Sequence, residues 1–294
     1  MFRHLILLLV LALIWSSSFV AIKIGVTAIP PLTLATARIA LAAVVLTGFV
    51  WSKGDGFPRD LRFWAFCFLL GVIGNALPFT MIGWGEQRID SGLAAILLSV
   101  IPLSTVVMAH FFTAGDRMTP AKLVGVAVGF CGVVILVGVE TLKDLGGDVW
   151  HQLAVVASAF CFAIAVILIR NMPPASLVVR SAAVMIAASL VMVPVAFVMD
   201  APWTLRPSPG ALAAAGYLGL FPTAIGTILF FHLVQAKGAS YTAFIAYLVP
   251  VFGVVWGAVA LGERLTVPAG VALLVILAGF AIAQFTPRSD NKDP

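Results

Sequence analysis

Polar and aromatic side chains recur inside long apolar stretches of the sequence, where a polar group is costly unless it faces a cavity or a partner. Helical spacing places Trp15 and Ser18 on one face of the first stretch, and Asn75 and Phe79 on one face of the third. Donors and acceptors beside aromatic walls are what a site for an amino acid or similar metabolite requires. We therefore predict a substrate-binding set of Trp15, Ser18, Asn75, Phe79, Thr80, Ser99, Ser158, Thr223 and Tyr247.

Each member of this set also has an ordinary structural alternative. Serine and threonine commonly hydrogen-bond to their own helix backbone, and tryptophan and tyrosine commonly anchor a helix at the membrane surface. Ser99 and Tyr247 each stand three residues before a proline in an apolar stretch, which predicts comparable depths on opposite sides of a cavity. The prediction therefore concerns the set as a group.

Four prolines lie near the middle of apolar stretches: Pro78, Pro102, Pro222 and Pro250. Proline removes one backbone hydrogen bond from a helix and bends it, and this is tolerated in membranes where neighbours satisfy the freed carbonyl. Because the positions recur in both halves of the chain, we predict that they are hinges. A static kink that improves packing is the alternative.

Ionisable side chains are scarce in the apolar stretches. All twelve Asp and Glu residues fall at the ends of stretches, in connections or in the tail. Proton and sodium coupling commonly use a buried carboxylate, so we expect facilitated movement or weak coupling, with coupling through histidine or backbone carbonyls as the alternative. His110 and His232 are candidates for proton relay or for packing. Lys23 and Arg38 are candidates to attract a carboxylate. The alternative for Lys23 is to reach the outer surface, and the alternative for Arg38 is to cap a neighbouring helix.

Composition identifies the elements that must position these residues. Of 294 residues, 62% are hydrophobic and 10% are charged, whereas soluble domains carry about 25% charged residues. Apolar runs of roughly 20 residues, each long enough to cross a bilayer, recur along the chain. The sequence predicts an all-α integral membrane protein with ten transmembrane helices, near residues 4–22, 33–51, 63–84, 91–113, 119–139, 149–169, 178–199, 209–231, 238–261 and 266–285.

Lysine and arginine in the connections predict the orientation, because cytoplasmic loops are enriched in positive charge. With the N-terminus inside, the inner connections hold Arg3, Lys53, Arg59, Arg62, Arg117, Lys122, Arg170, Arg180, Lys237, Arg288 and Lys292. The outer connections hold Arg88, Lys143, Arg206 and Arg264. Eleven against four favours both termini in the cytoplasm. No signal-peptide cleavage pattern follows the first apolar stretch, so we count it as a helix.

The two halves of the chain resemble each other, which is typical of secondary transporters. Pro102 and Pro250 are 148 residues apart, and each is followed by a Gly-acid-Arg turn, at 115–117 and at 262–264, and by a glycine-rich helix. We predict one five-helix repeat over residues 1–143 and a second over residues 144–294, the latter ending in a short cytoplasmic tail. Because five is odd, the second repeat enters from the opposite side and is inverted, which suits alternating access.

These motifs resemble the EamA-type branch of the drug/metabolite transporter superfamily. The resemblance rests on Leu-Ile-Trp-Ser-Ser-Ser-Phe at 13–19 with Lys23 after it, on Arg38, and on the two Gly-acid-Arg turns. It implies a central cavity lined mainly by helices 1, 3, 4, 6, 8 and 9. Within that branch the chain is most similar to YddG-type exporters of aromatic and other neutral amino acids. The sequence Phe-Cys-Phe at 160–162 replaces the tryptophan of many relatives, so a cavity with symmetric aromatics is not expected.

The sequence therefore predicts an exporter of small metabolites, aromatic and other neutral amino acids in the first place, in the cell (inner) membrane. A multidrug or cationic-compound exporter is the main alternative, and a channel or lipid scramblase is a weaker one. A membrane enzyme is disfavoured because the chain has no H-E-x-x-H, G-x-S-x-G or glycine-rich nucleotide motif. We expect no cofactor, metal or nucleic-acid partner. The predicted partners are a small-molecule substrate and the bilayer, and the chain is expected to be a monomer or weak homodimer through G-x-x-x-G glycines.

Overall fold

A computed structural model describes residues 2–89, 91–113, 118–137, 148–261 and 267–284. Over these residues the chain is helical and forms no β-strand. The helices are α1 (Phe2–Gly25), α2 (Pro31–Ser52), α3 (Leu61–Gly71), α4 (Leu77–Gly85), α5 (Ser91–Leu98), α6 (Ile101–Phe112), α7 (Pro120–Val137), α8 (Val149–Asn171), α9 (Leu177–Asp200), α10 (Pro209–Leu218), α11 (Gly226–Lys237), α12 (Ala239–Ala243), α13 (Ile245–Leu261) and α14 (Val267–Gln284).

Six helical stretches among the described residues are long and apolar enough to cross a membrane: Arg3–Gly25, Pro31–Ser52, Leu61–Gly85, Val149–Asn171, Leu177–Asp200 and Pro209–Lys237. Four shorter apolar helices lie at Ile96–Phe112, Pro120–Ile135, Ala239–Phe252 and Gly270–Ala283. The predicted fold class, an all-α multi-pass membrane protein, is confirmed. The count of ten crossings stays a prediction.

Two of the long helical stretches contain a π-helical segment. The first, Val72–Ala76, joins α3 to α4 immediately before Pro78, and the second, Gly219–Ile225, joins α10 to α11 and contains Pro222. A π-helical turn widens the backbone ladder by one residue, and a proline nearby leaves one carbonyl without its usual N–H donor. Both stretches therefore carry irregular backbone at mid-length, next to the predicted hinge prolines.

The other two predicted hinge prolines differ from each other. Pro102 is the second residue of α6, which begins directly after the break at Ser99 and Val100 that separates it from α5. Pro250 lies inside α13, and the break that separates α13 from α12 is at Phe244, six residues earlier. The chain around Pro250 is thus helical on both sides. The hinge role of all four prolines remains a prediction.

Close helix packing is clearest between α7 and α14, one of the tightest pairs in the fold. A Cβ built on Gly279 would lie 2.6 Å from the backbone oxygen of Gly125 and 2.6 Å from the backbone nitrogen of Gly129. The Gly125/Gly129 pair therefore serves packing within the chain, as small residues in membrane helices commonly do. A homodimer through this face remains a prediction.

Three features of the predicted repeat lie outside the described residues: the Gly-acid-Arg turns at 115–117 and 262–264, and the boundary between residues 143 and 144. Elsewhere, α2 packs on α9, α4 and α6 on α8, and α1 on α13. These contacts mix helices from the two halves of the chain. The described helices thus surround a shared centre.

Candidate functional site

A cavity of about 160 Å³ lies at this centre. Its walls come from α1, α2, both helices flanking the first π-helical segment, the α5/α6 break, α8, and the stretch from Pro222 to Pro250. The wall agrees with the set of helices that the family resemblance implies, with one addition. That addition is α2, which contributes Arg38.

Four of the nine predicted binding residues line the cavity: Trp15, Ser18, Asn75 and Phe79. Their side chains reach it because α1 and the first π-helical segment turn these faces toward the centre, as the helical spacing predicts. Two predicted hinge residues, Pro222 and Pro250, also line it. Pro78 and Pro102 are buried in the described packing but are not part of the cavity wall.

Three predicted binding residues lie off the cavity and satisfy their own helix instead. The hydroxyl of Thr80 donates to the carbonyl of Ala76 at 2.8 Å, that of Ser99 to Ile96 at 2.5 Å, and that of Ser158 to Val155 at 2.6 Å. Ser99 and Ser158 are completely buried among neighbouring helices. Their placement in the pocket wall is not supported, because each hydroxyl finds a backbone acceptor within one helical turn.

Tyr247 also lies off the cavity. It is fully buried, its hydroxyl donates to the backbone oxygen of Val126 at 2.8 Å, and its ring covers Gly129 on α7. Tyr247 and Ser99 were expected at comparable depths on opposite sides of the cavity, but neither residue lies on the cavity wall. Tyr247 ties α13 to α7, because a buried phenol needs a hydrogen-bond partner.

Thr223 occupies a supporting position behind the cavity wall. It is almost completely buried in the second π-helical segment and donates to the carbonyl of Leu218 at 2.7 Å. Pro222, four residues after Leu218, has no N–H to offer that carbonyl. The same hydroxyl oxygen accepts a 2.9 Å hydrogen bond from Nε of Arg38.

Arg38 is the main feature of the cavity that the predicted binding set omits. Its side chain is 5% exposed, lines the cavity, and holds its guanidinium carbon 4.0 Å from the ring centroid of Phe79. No aspartate or glutamate of the described residues lines this cavity. A guanidinium stays protonated at neutral pH, so the cavity carries a fixed positive charge. An arginine in mid-stretch of an apolar helix was the sequence signal for this role.

Two further polar groups at the cavity have free hydrogen-bonding capacity. The Ser18 Oγ is buried and has no partner among the described residues. Asn75 donates from Nδ2 to the carbonyl of Leu70 at 3.3 Å, five residues back across the first π-helical turn. That bond leaves its amide oxygen as an acceptor. The cavity therefore offers both a cation and neutral acceptors.

Aromatic rings form much of the remaining wall. The centroids of Phe79 and Phe162 are 6.1 Å apart, and those of Trp15 and Phe230 are 5.1 Å apart. Of the Phe-Cys-Phe sequence at 160–162, Phe162 lines the cavity, whereas Phe160 is 47% exposed on the outside of the bundle. The rings supply apolar surface beside the charged group.

Trp15 links two walls of the cavity. Its Nε1 donates to the carbonyl of Pro222 at 3.0 Å, so α1 is tied to the second π-helical segment. A Cβ built on Gly226 would lie 2.7 Å from that nitrogen, so only glycine leaves room for the indole.

The two histidines considered for proton relay lie away from the cavity wall. Nδ1 of His110 accepts a 3.2 Å hydrogen bond from the backbone N–H of Met118, and the His232 ring stacks on His4 with centroids 5.9 Å apart. Both contacts are structural.

Known proteins match the chain over most of its length. An "uncharacterized inner membrane transporter", YedA of Escherichia coli strain K12, is 28% identical over 280 residues, covering 95% of this chain and 89% of YedA. A "probable terminal-alkyne amino-acid exporter" of Streptantibioticus cattleyicolor is 30% identical, covering 88% of this chain and 85% of the exporter. One solved crystal structure shares the fold, with a TM-score of 0.79 at 19% identity and coverage of 98% and 99%.

The sequence pattern of one protein family matches the chain twice. Residues 3–138 and residues 146–284 each match the EamA-like transporter family. The relatives above are named as transporters, and the apolar helices make the chain a multi-pass membrane protein. The chain is a membrane transporter that belongs to the EamA-like transporter family.

Proposed function

We propose that this transporter exports neutral amino acids, aromatic ones included, by binding their carboxylate on Arg38. The observation that carries the proposal is the buried guanidinium on the cavity wall, where no described acidic side chain neutralises it. A buried cation without a partner is costly, and a substrate carboxylate supplies the missing charge through a bidentate hydrogen bond. Nε is already bonded to Thr223, and the two terminal nitrogens, which make no hydrogen bond among the described residues, are left for the carboxylate.

The other two parts of an amino acid also find complements. Ser18 Oγ and the amide oxygen of Asn75 are acceptors for the ammonium group. Phe79, Phe162 and Phe230 supply an apolar wall for the side chain. The relative named as an amino-acid exporter supports this substrate class.

The proposed mechanism is alternating access between two inverted five-helix repeats, residues 1–143 and 144–294. Support comes from the two separate family matches and from the irregular backbone at Pro78, Pro102 and Pro222. We propose that the substrate moves by facilitated transport down its own gradient, because no described carboxylate that could couple transport to protons or sodium lines the cavity. The proposed role is transport and not catalysis, by a monomer or weak homodimer.

The alternative substrate class, apolar cations, fits the cavity less well. An aromatic cavity without a fixed charge would accept such cations, but Arg38 places a positive charge in the wall. Like charges repel strongly in a medium of low dielectric constant. We therefore propose an amino-acid exporter in preference to a multidrug exporter, a channel or a scramblase.

Proteoliposomes of the pure protein test the substrate. Radiolabelled phenylalanine and leucine, and the cation ethidium, are offered separately with and without a pH gradient. We expect saturable flux of the amino acids that a pH gradient alone does not drive, and no flux of ethidium. Arg38→Gln should lower amino-acid flux at least tenfold, whereas Arg180→Gln, an equally buried arginine outside the cavity wall, should not. Ethidium flux alone, or equal effects of both variants, would contradict the proposal.

For orientation we propose an inner-membrane location with both termini in the cytoplasm. Lys53, between α2 and α3, is exposed in a predicted inner connection, and Arg206, between α9 and α10, is exposed in a predicted outer one. Cysteines placed at these two positions are labelled in intact cells with a membrane-impermeant maleimide. Arg206→Cys should react and Lys53→Cys should react only after lysis; the reverse pattern would invert the topology.

A further inference from the structure

Glu86 is the one acid of the described chain whose carboxylate is buried without a hydrogen-bond partner. It follows the last residue of α4, and both Oε1 and Oε2 are inaccessible and unpaired among the described residues. It lies one helical turn beyond Ile82, which lines the cavity. The carboxylate therefore sits at one end of the cavity and outside its wall.

Two cavity-lining helices, α4 and α8, pack together at this point, and a third, α1, brings the charge of Lys23 within range of Glu86. Gly85 packs so tightly on α8 that a Cβ there would lie 2.5 Å from Val155 and 3.4 Å from the carbonyl of His151. The Trp84 ring stacks on His151, with centroids 3.9 Å apart. From α1, Lys23 acts on Glu86 by its charge, and the residue before it, Ile22, lines the cavity. The Glu86 carboxylate therefore lies where α4 packs on α8, beyond Ile22 and Ile82, the last cavity-lining residues of α1 and α4.

The charged groups around Glu86 come from several elements. Lys23 faces it from α1, and no ion pair joins the two described side chains. On α8, His151 is 2.6 Å from Asp148 and forms its own pair. From α2, Arg38 is engaged deeper in the cavity with Phe79.

The surroundings favour the neutral acid. Burial raises the pKa of the Glu86 carboxyl to about 7, and the charge of Lys23 opposes that rise. The negative end of the α4 helix dipole lies beside the group and also disfavours ionisation. This dry site accommodates the neutral carboxylic acid, whereas the ionised carboxylate would require water or a cation beside it.

We propose that Glu86 is a proton-binding site that holds this end of the cavity closed when protonated and releases it when ionised. The closed arrangement binds the proton more tightly than an open, hydrated one. Closure is therefore favoured most below pH 4.5, the ordinary pKa of this carboxyl in water, and the preference is lost as the pH rises from there to about 7. The proton changes the rate at which the end opens and does not drive net flux, so the inference is independent of the proposed substrate.

Hydrogen–deuterium exchange of the protein in lipid nanodiscs, without substrate, tests the proposal. Peptides covering residues 80–89 and 149–155 are compared between the wild type and Glu86→Gln at each pH from 4 to 8.5. The comparison at equal pH cancels the intrinsic pH dependence of exchange. Glutamine is isosteric with the protonated acid. We expect nearly equal exchange at pH 4 and at least tenfold faster exchange of the wild type at pH 8.5.

Two further variants complete the test. Glu86→Asp keeps a titratable group and should retain the pH response, while Asp55→Asn, in the exposed connection between α2 and α3, should behave as the wild type. A wild type to Glu86→Gln ratio that does not change with pH would overturn the proposal.

Discussion

Nε of Arg38 donates a 2.9 Å hydrogen bond to Oγ1 of Thr223, joining α2 to the second π-helical segment across 185 residues of sequence. The bond fixes one edge of the planar guanidinium, and the Phe79 ring covers one face, with its centroid 4.0 Å from the guanidinium carbon. A long, flexible side chain thus holds one position at the cavity. Positioning of this kind reduces the entropy lost when a ligand binds.

Replacing Thr223 with valine should weaken substrate binding without removing the charge. Valine has nearly the same shape but cannot accept from Arg38 or donate to Leu218. Hydrogen bonds in membrane proteins are worth about 0.6 to 2 kcal/mol, so we expect a several-fold increase in KM. Transport assays with Thr223→Ser, which keeps the hydroxyl, serve as the control. Equal KM values for the valine and serine variants would show that Thr223 does not position the guanidinium.

Removing the hydroxyl of Ser18 should stabilise the protein without substrate and weaken its binding of substrate. Its buried oxygen has no partner among the described residues, and an unsatisfied buried group costs about 1 to 3 kcal/mol. Ser18→Ala should therefore raise the Tm without substrate and reduce the further rise that substrate produces. Thermal unfolding in detergent measures both.

The matched control for that experiment is Ser158→Ala. Ser158 is also buried on a helix, but its hydroxyl is bonded to Val155 and lies off the cavity. Its removal should not raise the Tm or alter the effect of substrate. If both variants shift the two quantities alike, Ser18 has no special relation to the ligand.

Substituting Gly279 should separate α7 from α14. An added methyl group would meet backbone atoms of Gly125 and Gly129 at 2.6 Å, and backbone cannot yield as a side chain can. Overpacking of this kind costs about 1 to 3 kcal/mol, so Gly279→Ala should lower the Tm by several degrees. Gly48 on α2 has nothing within 4 Å of the same added atom. Gly48→Ala should leave the Tm unchanged or raise it, and a similar loss in both variants would refute the packing argument.

Tyr247→Phe should affect stability and not substrate affinity. The hydroxyl bonds only to the carbonyl of Val126, away from the cavity. Its loss should cost about 1 kcal/mol of stability, with KM within twofold of the wild type. Phe79→Ala, on the cavity wall, should raise KM severalfold under the same conditions. A marked KM change in Tyr247→Phe would restore tyrosine to the binding site.

The sequence by itself determined that this chain lies in a lipid bilayer and that its secondary-structure elements are helices. Apolar runs of about 20 residues can satisfy their backbone in a bilayer only as helices, so composition and length suffice for the all-α membrane fold. Helical spacing likewise identified the cavity faces at Trp15 and Ser18 on α1, and at Asn75 and Phe79, because residues three or four apart share a face.

Tertiary structure alone decided which of the other polar groups are available. A serine or threonine in a helix can turn to its own backbone or to a cavity, and sequence does not distinguish the two, as Thr80 and Ser158 show. Arg38 and Glu86 lie on separate elements whose charges could have been paired by neighbours or by water. Packing left Arg38 without an acidic partner at the cavity and the Glu86 carboxylate without a hydrogen-bond partner in the described chain, because burial depends on contacts between helices distant in sequence.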